Sequence, residues 1–543
     1  MKNILFKSSA YGALLLAIAT VTGCTKLEDT SYTNIVSSTY TPTTKDLGSL
    51  VSPAYASWRA VVMSNATGWF ITQEICGDAL AVPAKPYGFV DGGLHRRMHE
   101  HKWTAEQAHV QDLWTKTYEG VTNCNRVLFQ IESGSIPVDG ANKAAVLAEL
   151  RVLRASYYWV LCDNFANVPI VDRFDVPNGF LPEQSTRVQV YDFIIKEITE
   201  SLPALGSEND VTTYARFNSK WAANALLAKV YLNAQVYTGT AQWAKCIEAC
   251  DAVINSGKFI LEPIQKDVFK AQNQNSKEIV WAVPHDEIYA GGFFMAAWTM
   301  SPQNQFTFNA KSGGYGGLNA IPQFIDTYDP ADKRLTDGWM MGQQYSASGT
   351  PLLCAYGTLV GKPLIYVNEC PGIDSTQEIH SFRINKWEIA QNSAPTSMNN
   401  DFPVLRYADI LMMKAESLLR TGSADAAATL VSQVRNRSFV SAPAKATVTG
   451  GQLALPTVYR YGLKNHFTTT QDAVADIQYG RFLDELGWEF AAEGHRRQDL
   501  IRFGVFTTKS WLSHSPNGGN KNIFPIPLQE LNKNTKLKQN PGY

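Results

Sequence analysis

The chain has 543 residues with a formal net charge of -1, and 45% of them are hydrophobic, which is ample for a large packed core. It carries no basic excess, so nucleic acid is excluded as a partner. Beyond the first residues, no apolar stretch approaches the ~18 to 20 residues that a membrane-spanning helix needs.

At the start, Lys2 and Lys7 form a short basic head, and Tyr11 to Val21 form an apolar run of the length of a secretory h-region. Val21, Thr22 and Gly23 lead directly into Cys24, an order that resembles the bacterial lipobox, in which the cysteine is diacylated and becomes the new first residue. That resemblance makes residues 1–23 a lipoprotein signal peptide and Cys24 a tether, since acyl chains add about 0.8 kcal/mol of membrane affinity per buried methylene. Residues 24–45 are rich in Ser and Thr and lack helical period, so they read as an extended linker. Within them, Thr25 to Asp29 resembles the charged signal that sends Gram-negative lipoproteins to the outer face of the outer membrane. Of eight cysteines, seven remain once Cys24 is acylated; an odd count at irregular spacing is no disulfide framework. Cys246 and Cys250 share one helix face and read as small core hydrophobes.

From residue 46 on, a single domain is expected, and several segments carry a 3.6-residue apolar period. In "AAVLAELRVLRASYYWVL", Val146, Leu150, Leu153, Tyr157 and Val160 recur at steps of three and four, which predicts an amphipathic helix. The same pattern predicts helices over Tyr118 to Ile131, Val190 to Leu202, Lys220 to Tyr237, Trp243 to Ser256, Tyr407 to Thr421 and Ala424 to Arg437. Gly422 falls where a helix C-cap belongs, with Ser423 as N-cap of the next helix and Asp425 in its first turn. Short joins and small residues such as Ala222, Ala223, Ala225 and Ala228 resemble tetratricopeptide-type helical hairpins.

The stretch from about 285 to 402 differs. It is crowded with Gly, Asn, Gln and Ser, yet Tyr289, Phe293, Phe294, Trp298, Tyr315, Trp339, Tyr345 and Tyr366 run through it. Long irregular segments inside a domain are usually functional, and this aromatic density argues against disorder.

The C-terminal third carries "FPVLRYADILMMKAESLLRTG", "VSQVRNRS", "ELGWEFAAEGHRRQDLIRFG" and "NIFPIPLQELNKNTKLKQNPGY". Together with "ELRVLRASYYWVLCDNFANVPIV", "SKWAANALLAKVYLNAQVY" and "WTKTYEGVTNCNRVL", these blocks resemble, in order, those of the SusD/RagB family of surface lipoproteins that capture nutrients for outer-membrane import. The resemblance implies a mainly α fold: tetratricopeptide-like hairpins in a right-handed superhelical frame, with the irregular insert carrying the ligand face. It also implies a non-catalytic glycan binder, anchored on the extracellular side of the outer membrane, that acts as lid on a TonB-dependent, SusC-like transporter. Peptide capture, as in RagB-like members, is the alternative. Physically, Glu485, Glu489 and Glu493 at steps of four, with Arg496 and Arg497 beyond, suit an ion-pair ladder. Pro525, Pro527 and Pro541 favour an extended tail that buries Ile523, Phe524, Ile526 and Leu528 as a clasp.

Paired carboxylates suggest glycoside hydrolysis, but acids beside guanidinium groups are held ionised rather than poised to donate a proton. His95 and His99, with Glu100 or His101 nearby, have zinc-like spacing, but the stretch matches a family block read as structural. Asp326, Asp329 and Asp332 do not fit an EF-hand loop, and neither a phosphate-binding glycine loop nor a GxSxG elbow is present. No cofactor is expected, and a structural calcium is left unassigned. Sugars present flat C–H faces edged with hydroxyls, so a glycan site wants aromatic plates and Asp, Asn, Gln or Arg. The family resemblance places the ligand face on "GDALAVPAKPYGFVDGG" and the insert. The expected contacts are Asp78, Tyr87 and Phe89 from the first, and Trp298, Asn304, Tyr315, Trp339 and Arg383 from the second. Phe89 stands where many relatives carry Trp, two residues before Asp91.

Overall fold

The computed structural model describes residue 43 and residues 46–64, 66–210, 213–465 and 468–543. The expected signal peptide, Cys24 and most of the linker lie outside the described residues.

Helices adjacent in sequence pack on one another. Helix α1 (Leu47–Val62) is followed, after a short helical stretch at Trp69–Glu74, by the short α2 (Leu94–His99), then by α3 (Ala108–Glu132), α4 (Gly140–Phe165) and α5 (Arg187–Ser201). Helix α3 lies against both α1 and α4, and α4 against α5. A second series, α6 (Lys220–Leu232), α7 (Trp243–Ile254), α8 (Tyr407–Arg420) and α9 (Ala424–Arg435), repeats the arrangement, each packing on the next. This is the expected mainly helical, tetratricopeptide-like frame. Small residues set its spacing: a Cβ at Gly120 of α3 would lie 2.3 Å from the Tyr157 ring of α4, so only glycine lets the helices approach this closely. Helix α5 begins with a capping box: the Gln189 amide donates to Thr186 Oγ1 at 3.3 Å, and Gln189 Oε1 accepts from the Thr186 N–H at 2.9 Å.

One local expectation needs correction. The helix from Lys220 is broken at Asn233, which leaves the helical conformation and donates its side chain to Lys229 O at 2.9 Å, and a short helix resumes over Ala234–Thr238. Ser423 takes the N-cap position of α9 and Asp425 stands in its first turn, as expected; the cap carries no side-chain bond, and the Asp425 carboxylate accepts from the Gly450 N–H at 3.2 Å. Gly422 does end α8 in the left-handed region, at φ +89°.

The insert folds around a four-stranded antiparallel sheet of short strands: β1 (Leu80–Ala81), β3 (Asn319–Ala320), β5 (Arg383–Ile384) and β4 (Trp339–Met340), side by side in that order. Leu80 faces Ala320, Asn319 faces Arg383, and Trp339 faces Ile384. The insert is thereby stitched to the segment after α1. A second pair, β2 (Ile279–Val283) with β6 (Phe402–Arg406), closes the base of the insert.

Beyond β6, α10 (Gly480–Phe490) and α11 (Arg496–Arg502) frame a buried charge network. The ladder expected from Glu485 to Arg497 does not form, because the chain leaves the helix after Phe490, with Ala492 at φ +62° and Gly494 at φ +83°. Arg406 instead contacts Glu278 at 2.7 Å, Glu489 at 2.9 Å and Glu493 at 2.7 Å. Arg334 reaches Asp332 and Glu485, each at 2.7 Å, while Arg437 joins Glu278 and Glu489, Arg435 joins Glu485, and Lys386 joins Glu493. Carboxylates and cations are thus matched, the condition under which buried charge is tolerated. Burial alone would raise the Glu489 carboxyl, but Arg437, Arg406 and Arg334 outweigh it and hold the group well below the usual range.

The tail crosses the body as expected: the Phe524 N–H donates to Asn164 O at 2.7 Å, and Phe524 and Ile526 are buried, whereas Leu528 is exposed at the start of a short helix. The seven cysteines among the described residues are free and buried, Cys246 and Cys250 included.

Candidate functional site

The segment between β1 and α2 meets the insert edge to edge. The Ala84 N–H donates to Ile373 O at 2.9 Å, and Ala84 O accepts from the Thr376 N–H at 3.1 Å and from Thr376 Oγ1 at 2.7 Å. Next, residues 85–89 turn back on themselves, the Lys85 N–H donating to Phe89 O at 3.0 Å. Lys85 points inward and donates to Asn319 Oδ1 at 2.5 Å, and burial pushes its ammonium well below the usual lysine range.

This turn carries two aromatic rings into the insert. Tyr87 donates its hydroxyl to Tyr315 O at 2.6 Å, and its ring meets Tyr356 edge-on at 5.2 Å. Phe89 lies parallel to Tyr315, with centroids 6.2 Å apart and planes 9° apart, and both rings are half-buried. Beneath them Trp298 packs edge-on against Phe89 and Tyr315, each at 5.9 Å. The glycines of "GGYGG" permit this approach: a Cβ at Gly316 would sit 2.4 Å from the Tyr87 hydroxyl, and one at Gly317 2.6 Å from the Phe89 ring.

Beside the aromatic group lies a cleft of about 140 Å³, whose walls include Phe89, Val90, Asp91, Arg96, Ile373 and Asp374. Arg96, from α2, spans it to Asp374 of the insert, with Nη1 and Oδ1 2.5 Å apart. His95 also lines the cleft and contacts Asp91 at 2.8 Å. Burial holds the His95 imidazole down at about 4 against the opposing pull of Asp91, so it is neutral at pH 7.

The structure therefore brings Tyr87, Phe89, Trp298 and Tyr315 together, with Trp298 as the buried underlayer rather than an open plate, at 2% exposure. It does not bring the other expected contacts to this face. Asp78 is fully buried and held by Arg496 and the Tyr461 hydroxyl. Asn304 is buried, its Oδ1 accepting from Tyr366 at 2.6 Å and its Nδ2 donating to Thr307 at 3.2 Å. Trp339 is a core residue of β4 packed edge-on against Phe324. Arg383 is buried in β5, donating to His380 O at 2.7 Å and Ser381 O at 2.5 Å and lying over the Tyr366 ring. For these four the expectation of a ligand contact is corrected to a core role, because protein partners occupy their polar groups or rings.

Sequence reasoning missed Tyr356, Arg96 and Asp374. Tyr356 is held at the surface because the Glu378 carboxylate accepts from the Ala355 and Tyr356 N–H groups, both at 2.7 Å. That contact has no local sequence signal. His99 and His101 do not converge with His95 on a metal: they turn to Ile75 O at 3.3 Å and Cys76 O at 2.8 Å. Among the described residues no group of three His, Cys, Asp or Glu side chains is placed to hold a metal ion.

Two family models match the chain. One, the SusD family, covers residues 277–522, and one described as "Starch-binding associating with outer membrane" covers residues 82–232. Between them the two models span most of the chain and mark it as similar to SusD-family proteins. Among curated SusD-family relatives, the starch-binding protein SusD of Bacteroides thetaiotaomicron is 26% identical over 482 residues, spanning 81% of this chain and 80% of the relative. The SusD-like protein P25 of Formosa agariphila is 22% identical over 462 residues, 81% of each chain. Among solved structures, NanU of B. fragilis superposes with a TM-score of 0.71 at 20% identity, covering 94% of this chain and 99% of that one. Surface glycan-binding protein A from B. thetaiotaomicron in complex with laminarihexaose gives 0.68 at 19% identity, covering 91% and 99%. These likenesses establish the SusD-like fold. The family description also ties such chains to the outer membrane.

Proposed function

We propose that this chain is a non-catalytic glycan-binding lipoprotein, anchored through Cys24 on the extracellular face of the outer membrane, that captures oligosaccharide as the lid of a TonB-dependent, SusC-like importer. The reading treats residues 46–543 as one SusD-like domain with its ligand face on the insert. The observation that carries it is the parallel Phe89–Tyr315 pair beside a cleft edged by Asp91, Arg96 and Asp374. Half-buried rings next to donors and acceptors match a sugar's apolar face and hydroxyl edge. The starch-binding and laminarihexaose-bound relatives favour a glycan over a peptide. Against hydrolysis, the acids of α10 are buried among arginines, away from the cleft.

Incubation with a panel of oligosaccharides tests the reading: a binder retains a glycan and returns it unchanged, whereas tight peptide binding without glycan, or cleavage of the glycan, overturns it. Palmitate labelling tests the anchor: Cys24→Ala must lose both the label and the outer membrane.

A further inference from the structure

We infer that the site selects an uncharged sugar, which it reads through two adjacent hydroxyls held between Arg96 and Asp374. This rests on the glycan-binding reading above and adds its ligand class and two specificity-determining residues.

The two side chains reach the cleft from different parts of the fold. Arg96 stands on α2, while Asp374 follows Ile373, whose carbonyl accepts from the Ala84 N–H, so backbone pairing fixes its position opposite the helix. They meet at 2.5 Å while remaining 47% and 61% exposed, so both keep open hydrogen-bonding capacity toward solvent. A guanidinium only donates and a carboxylate only accepts. Side by side they complement neighbouring hydroxyls, one accepting from Arg96 and the other donating to Asp374. Phe89 and Val90 line the same cleft and offer the apolar surface on which the ring's C–H face rests. An exposed ion pair contributes little to stability, so sharing it with a ligand costs the fold little.

Charge decides the ligand class. Among the described residues that line the cleft, Arg96 is the one permanent cation, set against the carboxylates of Asp91 and Asp374. Arg96 is drawn further toward Glu100, whose Oε1 lies 3.3 Å from its Nε, and Lys102 is paired with the same Glu100 at 3.0 Å. Lys85 is turned away, buried against Asn319, and His95 is bound to Asp91. A uronate or sulfate would meet a lining with more carboxylates than cations, and a neutral ring would not.

Calorimetry on the full-length protein at low ionic strength tests this with neutral gluco-, manno-, galacto- and fructo-oligosaccharides beside oligogalacturonides and sulfated galactan oligomers. The expected result is binding of a neutral glycan, no binding of the anionic ones, and at least fivefold weaker affinity for Arg96→Gln and Asp374→Asn at an unchanged thermal midpoint. Phe89→Ala serves as a control on the site itself. If Phe89→Ala loses affinity while Arg96→Gln and Asp374→Asn bind like the parent, the site stands and the diol reading falls. Preference of the parent for an anionic glycan overturns the ligand class, and a parent that binds no glycan overturns both readings.

Discussion

Arg496 and Asp78 lie 418 positions apart and form a two-point ion pair in the core, Nε to Oδ1 at 2.5 Å and Nη2 to Oδ2 at 2.9 Å. Tyr461 donates its hydroxyl to the same carboxylate at 2.7 Å, so Asp78 ties the segment before β1 to α11 and to the loop before α10. Removing one partner of such a pair strands a buried charge, which costs roughly 3 to 5 kcal/mol. Asp78→Ala is expected to lower the thermal midpoint markedly, with glycan affinity per folded molecule unchanged. Loss of affinity at unchanged stability would return Asp78 to the ligand face.

Trp298 and Phe89 touch but differ in exposure, which separates their roles. Trp298 is 2% exposed, and truncation of a buried aromatic costs roughly 3 to 5 kcal/mol of stability. Trp298→Ala is therefore expected to destabilise the fold, and any loss of binding will follow from that. Phe89→Ala and Tyr315→Ala remove half-buried rings, so each is expected to weaken glycan binding by ~1 to 3 kcal/mol with a smaller shift in thermal midpoint. Denaturation and calorimetry on the same three variants check the split.

The helical frame was legible because burying one face of a helix imposes a 3.6-residue period that local residues carry themselves, as Val121, Cys124, Leu128 and Ile131 do in α3; α4, expected to be amphipathic, is instead buried on nearly every side from Ala148 onward. The site was legible only in part. An aromatic side chain has the same sequence signature whether it forms a plate or a core, and Trp339 beside Phe324 is no different in kind from Tyr315 beside Phe89. Polar groups misled for two reasons: the guanidinium that occupies Asp78 comes from Arg496, far outside any local window, whereas Arg383 folds back onto the backbone carbonyls of His380 and Ser381, acceptors that leave no side-chain signature. The Arg96–Asp374 bridge exists only because Ala84 pairs with the insert. By contrast, the ladder read from Glu485 to Arg497 failed on a local feature, the left-handed break at Ala492 and Gly494.

Acid is expected to destabilise the protein, through histidines buried as neutral rings. His101 and His514 lie 4.1 Å apart, and burial is the leading cause that holds both below the ordinary imidazole range, His101 at about 3. His99 is held at about 4 for the same reason. In each case the unfolded chain binds a proton that the folded one refuses, so the stability present above about 6.5 is lost as pH falls toward 4 and 3. Glu74 runs the other way: burial raises its carboxyl to about 7, so it favours the folded state at low pH and that contribution is lost as pH rises through about 7. Because several histidines are shifted down, the thermal midpoint should fall between pH 6.5 and 4. His514→Phe should fall less steeply than the parent. Equal slopes for the two proteins would remove His514 from the effect.

Gly317 offers a test of the ring geometry that leaves every aromatic residue in place. Its backbone lies outside the left-handed region, so alanine meets no conformational barrier there; the new methyl would instead stand 2.6 Å from the Phe89 ring and 3.2 Å from Trp298. Trp298 is packed on several sides and has little room to yield, whereas Phe89 is half-buried on a turn and is the ring that gives way. Overpacking of this kind costs ~1 to 3 kcal/mol, and a surface turn absorbs it near the low end. Gly317→Ala is therefore expected to weaken glycan affinity severalfold while the thermal midpoint shifts by only a few degrees. Parent-like affinity at parent-like stability would mean that the parallel alignment of Phe89 and Tyr315 is a packing detail, and that the sugar rests on the exposed Tyr87–Tyr356 side of the turn instead.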